Sequence, residues 1–285
     1  MGRFLATALL CALLAGGAPL RQARPESAGS SVEVTYIANE GFLLSGGGKI
    51  VLVDALFRRG VPGYAVPSEV MRKQMEAAQS PFDRVDLALA THSHDDHFDA
   101  EAVGAHLMSN RSALFASVAE ATGMLRDGFK DFAYISSRVH TVSPGKGGRA
   151  RLELNGISIE VLRAPHGRAQ HAAYLFTLAG KKFLHLGDTD GAAADFAPLR
   201  LERENIDVAF IPDWFLLYPD WPEVVRKHIR PRRIVAMHVA LENPPEATLR
   251  QHMRKVGGHA GLARKIPAEF PGAIVALVPG ARFRF

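Results

Sequence analysis

The chain has 285 residues, 47% apolar, 22% charged and 8% aromatic, with a mean hydropathy of +0.01, which excludes a disordered, fibrous or polytopic membrane protein. A chain this long removes about 70–75% of its unfolded surface from water and needs no covalent staple, and its single cysteine, Cys11, excludes from the remainder an intramolecular disulfide, a thiolate-held metal and a thiol nucleophile. The net charge of +5 is scattered rather than gathered into a basic run, so no nucleic acid partner is expected.

The N-terminus reads as a targeting segment. Arg3 gives a short positive start, Phe4 to Leu14 is an unbroken apolar stretch, and Ala15-Gly16-Gly17-Ala18 offers small residues to a signal peptidase. Residues 1–18 are therefore expected to be a cleaved signal peptide, and residues 19–30, rich in Arg, Pro, Ser and Gly, a disordered leader. The apolar run is too short for a span, which needs about 20 residues. Leu10 stands where a lipoprotein would carry a small residue before its cysteine, so a periplasmic or secreted protein is expected rather than a lipid-anchored one.

From residue 31 the pattern is β-rich. Val32 to Ile37 alternates, Phe42 to Leu44 follows the Asn39-Glu40-Gly41 turn, and Lys49 to Asp54 follows Gly46-Gly47-Gly48. A helix is expected over about Pro67 to Gln79, a buried strand over Val85 to Ala90, and a helix over Ala100 to Met108 capped by Asp99. A strand at Ala113 to Ala116 and a helix near Val118 to Arg126 complete the first half. The second half repeats the theme after Ser143 to Gly148, with hairpins across Asn155-Gly156 and Ala179-Gly180, then strands at Val208 to Ile211 and Ile234 to Met237 alternating with helices. Two β-then-α halves without a linker predict one domain over residues 31–285, of α+β class, with two packed sheets and helices outside.

The chemistry concentrates in Thr91-His92-Ser93-His94-Asp95-Asp96-His97, at the end of a predicted strand. In extended chain His92 and His94 project to one side. A turn after His94 can aim Asp96 and His97 at a neighbouring position, so the spacing suits two adjacent cations. Imidazole and carboxylate donors suit zinc, and also iron or manganese.

This H-x-H-x-D-H string resembles the metallo-β-lactamase-fold hydrolase superfamily, and later landmarks resemble it in order. Ala164-Pro165-His166-Gly167 is similar to the third histidine motif, Leu186-Gly187-Asp188-Thr189 to the Gly-Asp-Thr with the bridging carboxylate, and Ala236-Met237-His238-Val239 to the last histidine. Asp54 resembles the buried aspartate that steadies the metal loop. The resemblance, over about Val32 to His238, implies a four-layer αββα sandwich and two divalent ions, zinc first with manganese or iron as alternatives. It implies that His92, His94 and His166 hold one ion, that Asp96, His97 and His238 hold the other, and that Asp188 bridges them. One departure stands out: a second histidine often follows the third ligand by four residues, whereas His171 follows His166 by five, which makes His171 the alternative ligand. His185 is expected to pack behind Asp188, and His106, His140, His228, His252 and His259 to lie outside the site.

The bridging aspartate separates the chain from true β-lactamases and makes it resemble the lactonase, phosphodiesterase and glyoxalase II branches. A metal-bridging hydroxide would then cleave an ester, lactone, thioester or phosphodiester of a small-molecule substrate, with Asp96 and Asp188 as the catalytic carboxylates. The alternatives are a β-lactam hydrolase and a non-catalytic metal-binding or sensing module of the same fold. The stretch Asp213 to Trp221 reads as a loop after a strand, and Trp214, Phe215, Tyr218 and Trp221 are its candidate pocket residues. Tyr64 is a candidate rim residue, and Arg163 and Arg168 flank His166 as expected solvated cations.

Overall fold

The computed structural model describes residues 31–145 and 148–285. The segment read as signal peptide and leader, residues 1–30, lies outside the described residues. In the first half, β1 (Glu33–Ala38), β2 (Gly41–Gly46) and β3 (Lys49–Val53) form an antiparallel meander. α1 (Glu69–Glu76), β4 (Leu87–Ala90), α2 (Ala100–Ser109), β5 (Leu114–Ser117), α3 (Ala119–Gly128) and β6 (Val139–Thr141) follow, with β3 to β6 parallel. The helix expected over Pro67 to Gln79 is shorter, because the Ser68 side chain caps Met71 N and starts it there. Asp99 caps α2 as its position predicts, accepting from Ala102 N at 2.8 Å.

The second half repeats this order. β7 (Arg149–Leu154), β8 (Ile157–Arg163), β9 (Ala172–Leu178) and β10 (Lys181–His185) are antiparallel. Then come α4 (Ala193–Phe196), β11 (Val208–Pro212), α5 (Asp213–Leu217), α6 (Trp221–Val224), β12 (Arg233–Met237), α7 (Ala247–Val256), α8 (Gly258–Glu269) and β13 (Ile274–Val275), with β10 to β13 parallel. The chain ends in β14 (Arg282–Arg284), which crosses back to pair with β1. The result is two seven-stranded sheets, ordered β14-β1-β2-β3-β4-β5-β6 and β13-β12-β11-β10-β9-β8-β7.

Side-chain alternation places the layers. In β11, Val208 and Phe210 face the first sheet, and Phe210 meets Phe42 with ring centroids 4.5 Å apart, whereas Ala209 and Ile211 face the helices of the second half. Val103, Leu107 and Leu125 of α2 and α3 join the first core, while Phe215, Val224, Met253, Leu262 and Ile266 build the second. Helix, sheet, sheet and helix layers therefore stack as the expected four-layer αββα sandwich. Among the described residues no helix is long and apolar enough to cross a membrane.

Candidate metal centre

Every residue of the centre follows the C-terminal end of a strand, so all meet at one edge of the sandwich. Glu40 follows β1, Asp54 follows β3, the segment from Thr91 to His97 follows β4, His166 follows β8, Asp188 follows β10 and His238 follows β12. Two of these positions, Asp54 (φ 44°) and His238 (φ 52°), lie in the left-handed region, where the chain turns out of its strand and aims the side chain inwards.

His92, His94, His166 and Asp188 present ligand atoms within 4.8 Å of one another, and so do Asp96, His97 and His238. Asp188 lies between the two groups. Its Oδ2 is 3.8 Å from the Nε2 atoms of both His92 and His166, and its Oδ1 is 3.4 Å from His97 Nε2 and 3.2 Å from His238 Nε2. Asp96 completes the second group, with Oδ2 3.5 Å from His238 Nε2 and Oδ1 3.7 Å from His97 Nε2.

The nitrogens at this focus are aimed by what holds the far side of each ring. His97 Nδ1 lies 2.9 Å from Asp54 Oδ2, His92 Nδ1 lies 3.0 Å from Thr91 Oγ1, and His171 Nδ1 lies 2.7 Å from Ala164 O. Asp54, fully buried, also accepts from Thr91 N at 2.7 Å and from Thr91 Oγ1 at 2.8 Å. A carboxylate cannot donate, so Nδ1 of His97 carries a hydrogen, and in the neutral ring it is Nε2 that keeps a lone pair directed at the centre. Among the described residues, His92 Nε2, His97 Nε2, His171 Nε2, His238 Nε2 and Asp188 Oδ1 are buried without a hydrogen-bond partner. Such orphans carry a free-energy cost wherever they are buried, and gathering His92 into one group and His97 and His238 into the other, with Asp188 between, fits cations as the partners of these atoms.

The electrostatics tie the same groups together. Burial lowers the pKa of His92, and the neighbouring His97 lowers it further; burial, with His166 beside it, takes His171 down to about 4 against the pull of Asp188. Burial opposes charge on His97 and His238, but Asp188, joined by Asp54 at His97 and by Asp96 and Glu40 at His238, outweighs it and raises both. In return His238 and His97 hold Asp188 well below the usual carboxylate range against its burial.

The structure brings together all seven side chains that the sequence nominates as ligands. His171, the alternative to His166, packs beside the first group, its ring 5.1 Å from His92 and 5.6 Å from His166. His185 is fully buried, with Nε2 on Glu40 O at 2.9 Å and Nδ1 accepting from Gly187 N at 3.3 Å, so it braces two of the turns. Sequence reading misses Glu40, which is completely buried with both carboxyl oxygens unpartnered and one of them 3.8 Å from His97 Nδ1. Burial, then Asp188, pushes its pKa well up. It misses Asn39 as well, whose Nδ2 donates to Asp96 Oδ2 at 3.0 Å.

The aromatic stretch after β11 needs correction, because Asp213 to Leu217 and the segment from Trp221 are helical, with a short turn over Tyr218 to Asp220 between them. Trp214 and Tyr218, four residues apart across α5, line a cavity beside His238, whereas Phe215 is fully buried in the second core, stacked on Trp221 at 5.4 Å. Phe215 and Trp221 are therefore packing residues. Tyr64 meets the His238 ring edge-on at 4.2 Å, while Arg163 and Arg168 are exposed. A larger cavity of about 520 Å³ opens beside His166 and His171.

Residues 49–253 match the Beta-lactamase superfamily domain, nearly three quarters of the chain. The chain belongs to the β-lactamase superfamily. A superfamily relative, a UPF0173 metal-dependent hydrolase of Pelotomaculum thermopropionicum, is 27% identical over 222 residues, covering 73% of this chain and 84% of that one. Among solved structures, Igni18, a metallo hydrolase from Ignicoccus hospitalis, aligns with a TM-score of 0.56 and 21% identity over 90% of this chain and 98% of that chain. CmlA, a diiron β-hydroxylase from Streptomyces venezuelae, aligns with a TM-score of 0.59 and 17% identity over 91% of this chain and 54% of that one. At these identities the structural likeness concerns the fold alone.

Proposed function

We propose that the protein is a metal-dependent hydrolase that holds two divalent ions, zinc first with manganese or iron as alternatives, and cleaves an ester, lactone, thioester or phosphodiester of a small molecule. The observation that carries this reading is the pair of ligand groups sharing Asp188, with their unpartnered nitrogens converging on it. His92, His94 and His166 would hold one ion, Asp96, His97 and His238 the other, and Asp188 would touch both. When bound, the ions supply Lewis acidity toward a carbonyl or phosphoryl oxygen and bring the ionisation of water into the neutral range.

The chain's own groups do the positioning. Asp188, one oxygen turned to each group, orients the attacking water, and Asp96, anchored by Asn39, is placed to take a proton at Oδ1 and pass it to the leaving group. Asp54 and Thr91 keep the His97 and His92 lone pairs on target. The walls that bury these residues exclude competing solvent and strengthen each charge interaction. Export to the periplasm or beyond is proposed from the N-terminal sequence, and a mature chain lacking Cys11 is compatible with an oxidising compartment.

The test is elemental analysis for two ions per chain, alongside turnover of lactones, 4-nitrophenyl esters, phosphodiesters and β-lactams by zinc-, manganese- and iron-loaded protein. Asp188→Ala and His94→Ala are expected to abolish turnover with the circular dichroism spectrum retained. Undiminished turnover by chelator-dialysed protein would overturn the proposal. N-terminal sequencing of protein recovered from the periplasmic fraction checks export.

A further inference from the structure

A second polar constellation lies outside the seven convergent side chains. Asp213, buried at the start of α5, has Oδ2 3.0 Å from Nε2 of His252 on α7, and His252 Nδ1 is 2.7 Å from the hydroxyl of Tyr218. The carboxylate only accepts, so a hydrogen of His252 lies on Nε2, and a ring with that single hydrogen accepts the Tyr218 O–H at Nδ1. The phenol's one hydrogen is thereby directed inwards, and its oxygen is left as an acceptor.

That acceptor borders a cavity of about 240 Å³ lined by Tyr64, Trp214, Tyr218, Leu249 and His252, with His238 at the end shared with the metal centre. The His238 ring stands between Tyr64, at 4.2 Å, and Trp214, at 4.7 Å, so a group filling the cavity lies directly beside the centre. An apolar cavity of about 150 Å³ accommodates benzene, and this one has room for a ring and a small substituent. The neighbouring loops expose further apolar surface, Val61 at 39%, Val66 at 43% and Leu241 at 40%.

We propose that this cavity is the specificity pocket, that it takes an aromatic ring or compact aliphatic group bearing one hydrogen-bond donor, and that Tyr218 Oη receives the donor. His252 and Asp213 are positioning residues that act through Tyr218. The pocket's role in turnover rests on the hydrolase reading, but its occupancy can be measured without turnover.

The probes are p-cresol, a ring with one hydroxyl donor, and toluene, the same shape without it. Both are titrated by ligand-observed NMR into the metal-loaded full chain and again with chelator present. Wild-type protein is expected to bind p-cresol about five-fold more tightly than toluene, the worth of one ordinary hydrogen bond. Tyr218→Phe removes that preference and leaves toluene unchanged. His252→Leu does the same if His252 positions the phenol, whereas a role confined to joining α5 to α7 would leave the preference intact. Leu249→Trp, which fills the cavity, weakens both probes at least ten-fold. Equal wild-type affinities, a preference that survives Tyr218→Phe, or indifference to Leu249→Trp overturns the proposal. Hydrolysis of 4-nitrophenyl acetate is followed in parallel. Turnover without pocket binding refutes the pocket alone, and pocket binding without turnover of any tested substrate refutes the hydrolase reading alone.

Discussion

Asp54→Asn isolates what the buried carboxylate does for the metal centre. Asparagine keeps the shape of aspartate and tolerates the left-handed backbone at this position, φ 44°, so the substitution adds little strain. Asp54 accepts from Thr91 N on one oxygen, and on the other meets both Thr91 Oγ1 and His97 Nδ1. The amide oxygen must take the place facing Thr91 N, since an NH₂ there would confront another donor at 2.7 Å. The NH₂ then faces Thr91 Oγ1 and His97 Nδ1, which must become acceptors. His97 moves its hydrogen to Nε2, and Thr91, turned about, can donate to His92 Nδ1 and move the hydrogen of His92 to Nε2 as well. Both lone pairs aimed at the centre are lost, while the metal-free fold keeps a complete hydrogen-bond network. Metal affinity is therefore expected to fall about 10–100-fold, as for other outer partners of metal-bound histidines, equivalent to roughly 1.4–2.8 kcal/mol. The metal-free protein should lose only about 1–2 kcal/mol, for exchanging charged acceptors for neutral ones. Competition with a chromophoric chelator gives the affinity, and thermal melting in excess chelator gives the stability. Unchanged affinity combined with a large loss of melting temperature would refute the reasoning and leave Asp54 a purely structural residue.

Other substitutions probe the packing and its pH dependence. A methyl at Gly104 would lie 2.3 Å from the Phe129 ring, so Gly104→Ala should cost about 1–3 kcal/mol in urea unfolding, and Phe129→Leu should recover part of it. Gly187 has φ +59° and a Cβ there would stand 2.3 Å from His171 Nε2, so Gly187→Ala should displace His171, which weaker cobalt binding by absorption spectroscopy would register. Burial holds His106 below the ordinary imidazole value of 6.5 while its ring bonds to Met75 O at 2.6 Å. The unfolded chain then takes up the proton first, so this contribution is complete above pH 6.5 and is lost on acidification below it, by up to about 1.4 kcal/mol per pH unit. His106→Met should flatten the stability profile below about pH 6.5 in urea titrations, and an unaltered slope would count against this account.

The strands around the metal centre are legible in the sequence because alternation and glycine turns mark them within a few residues. β6, β13 and β14, only two or three residues long, carry no periodic signal, and what defines them is the partner strand beside them. The ligands are legible for a related reason: four lie within six consecutive residues, and the remaining three close predicted strands. Glu40 is hidden because Asn39-Glu40-Gly41 has the composition of a solvated hairpin turn, and only the second sheet buries it. The Asp213–His252 pair spans 39 positions and carries no local cue. Trp214 to Tyr218 misleads through its density of aromatics; once it coils as a helix, the 3.6-residue period sends Trp214 and Tyr218 one way and Phe215 the other.

The crossing of donors between the two sheets has a consequence for how the protein holds together. The first cation group takes His92 and His94 from one sheet and His166 and Asp188 from the other, and the second takes Asp96 and His97 from one and His238 from the other. Neither half of the chain owns a complete group, so an ion held by either group would act as a clasp between them. The binding free energy of such an ion would add to the cohesion of the sandwich in proportion to the logarithm of its free concentration. Metal supply would then set resistance to opening along the seam, and a chain severed between its halves would complete either group only as the two fragments reassociate.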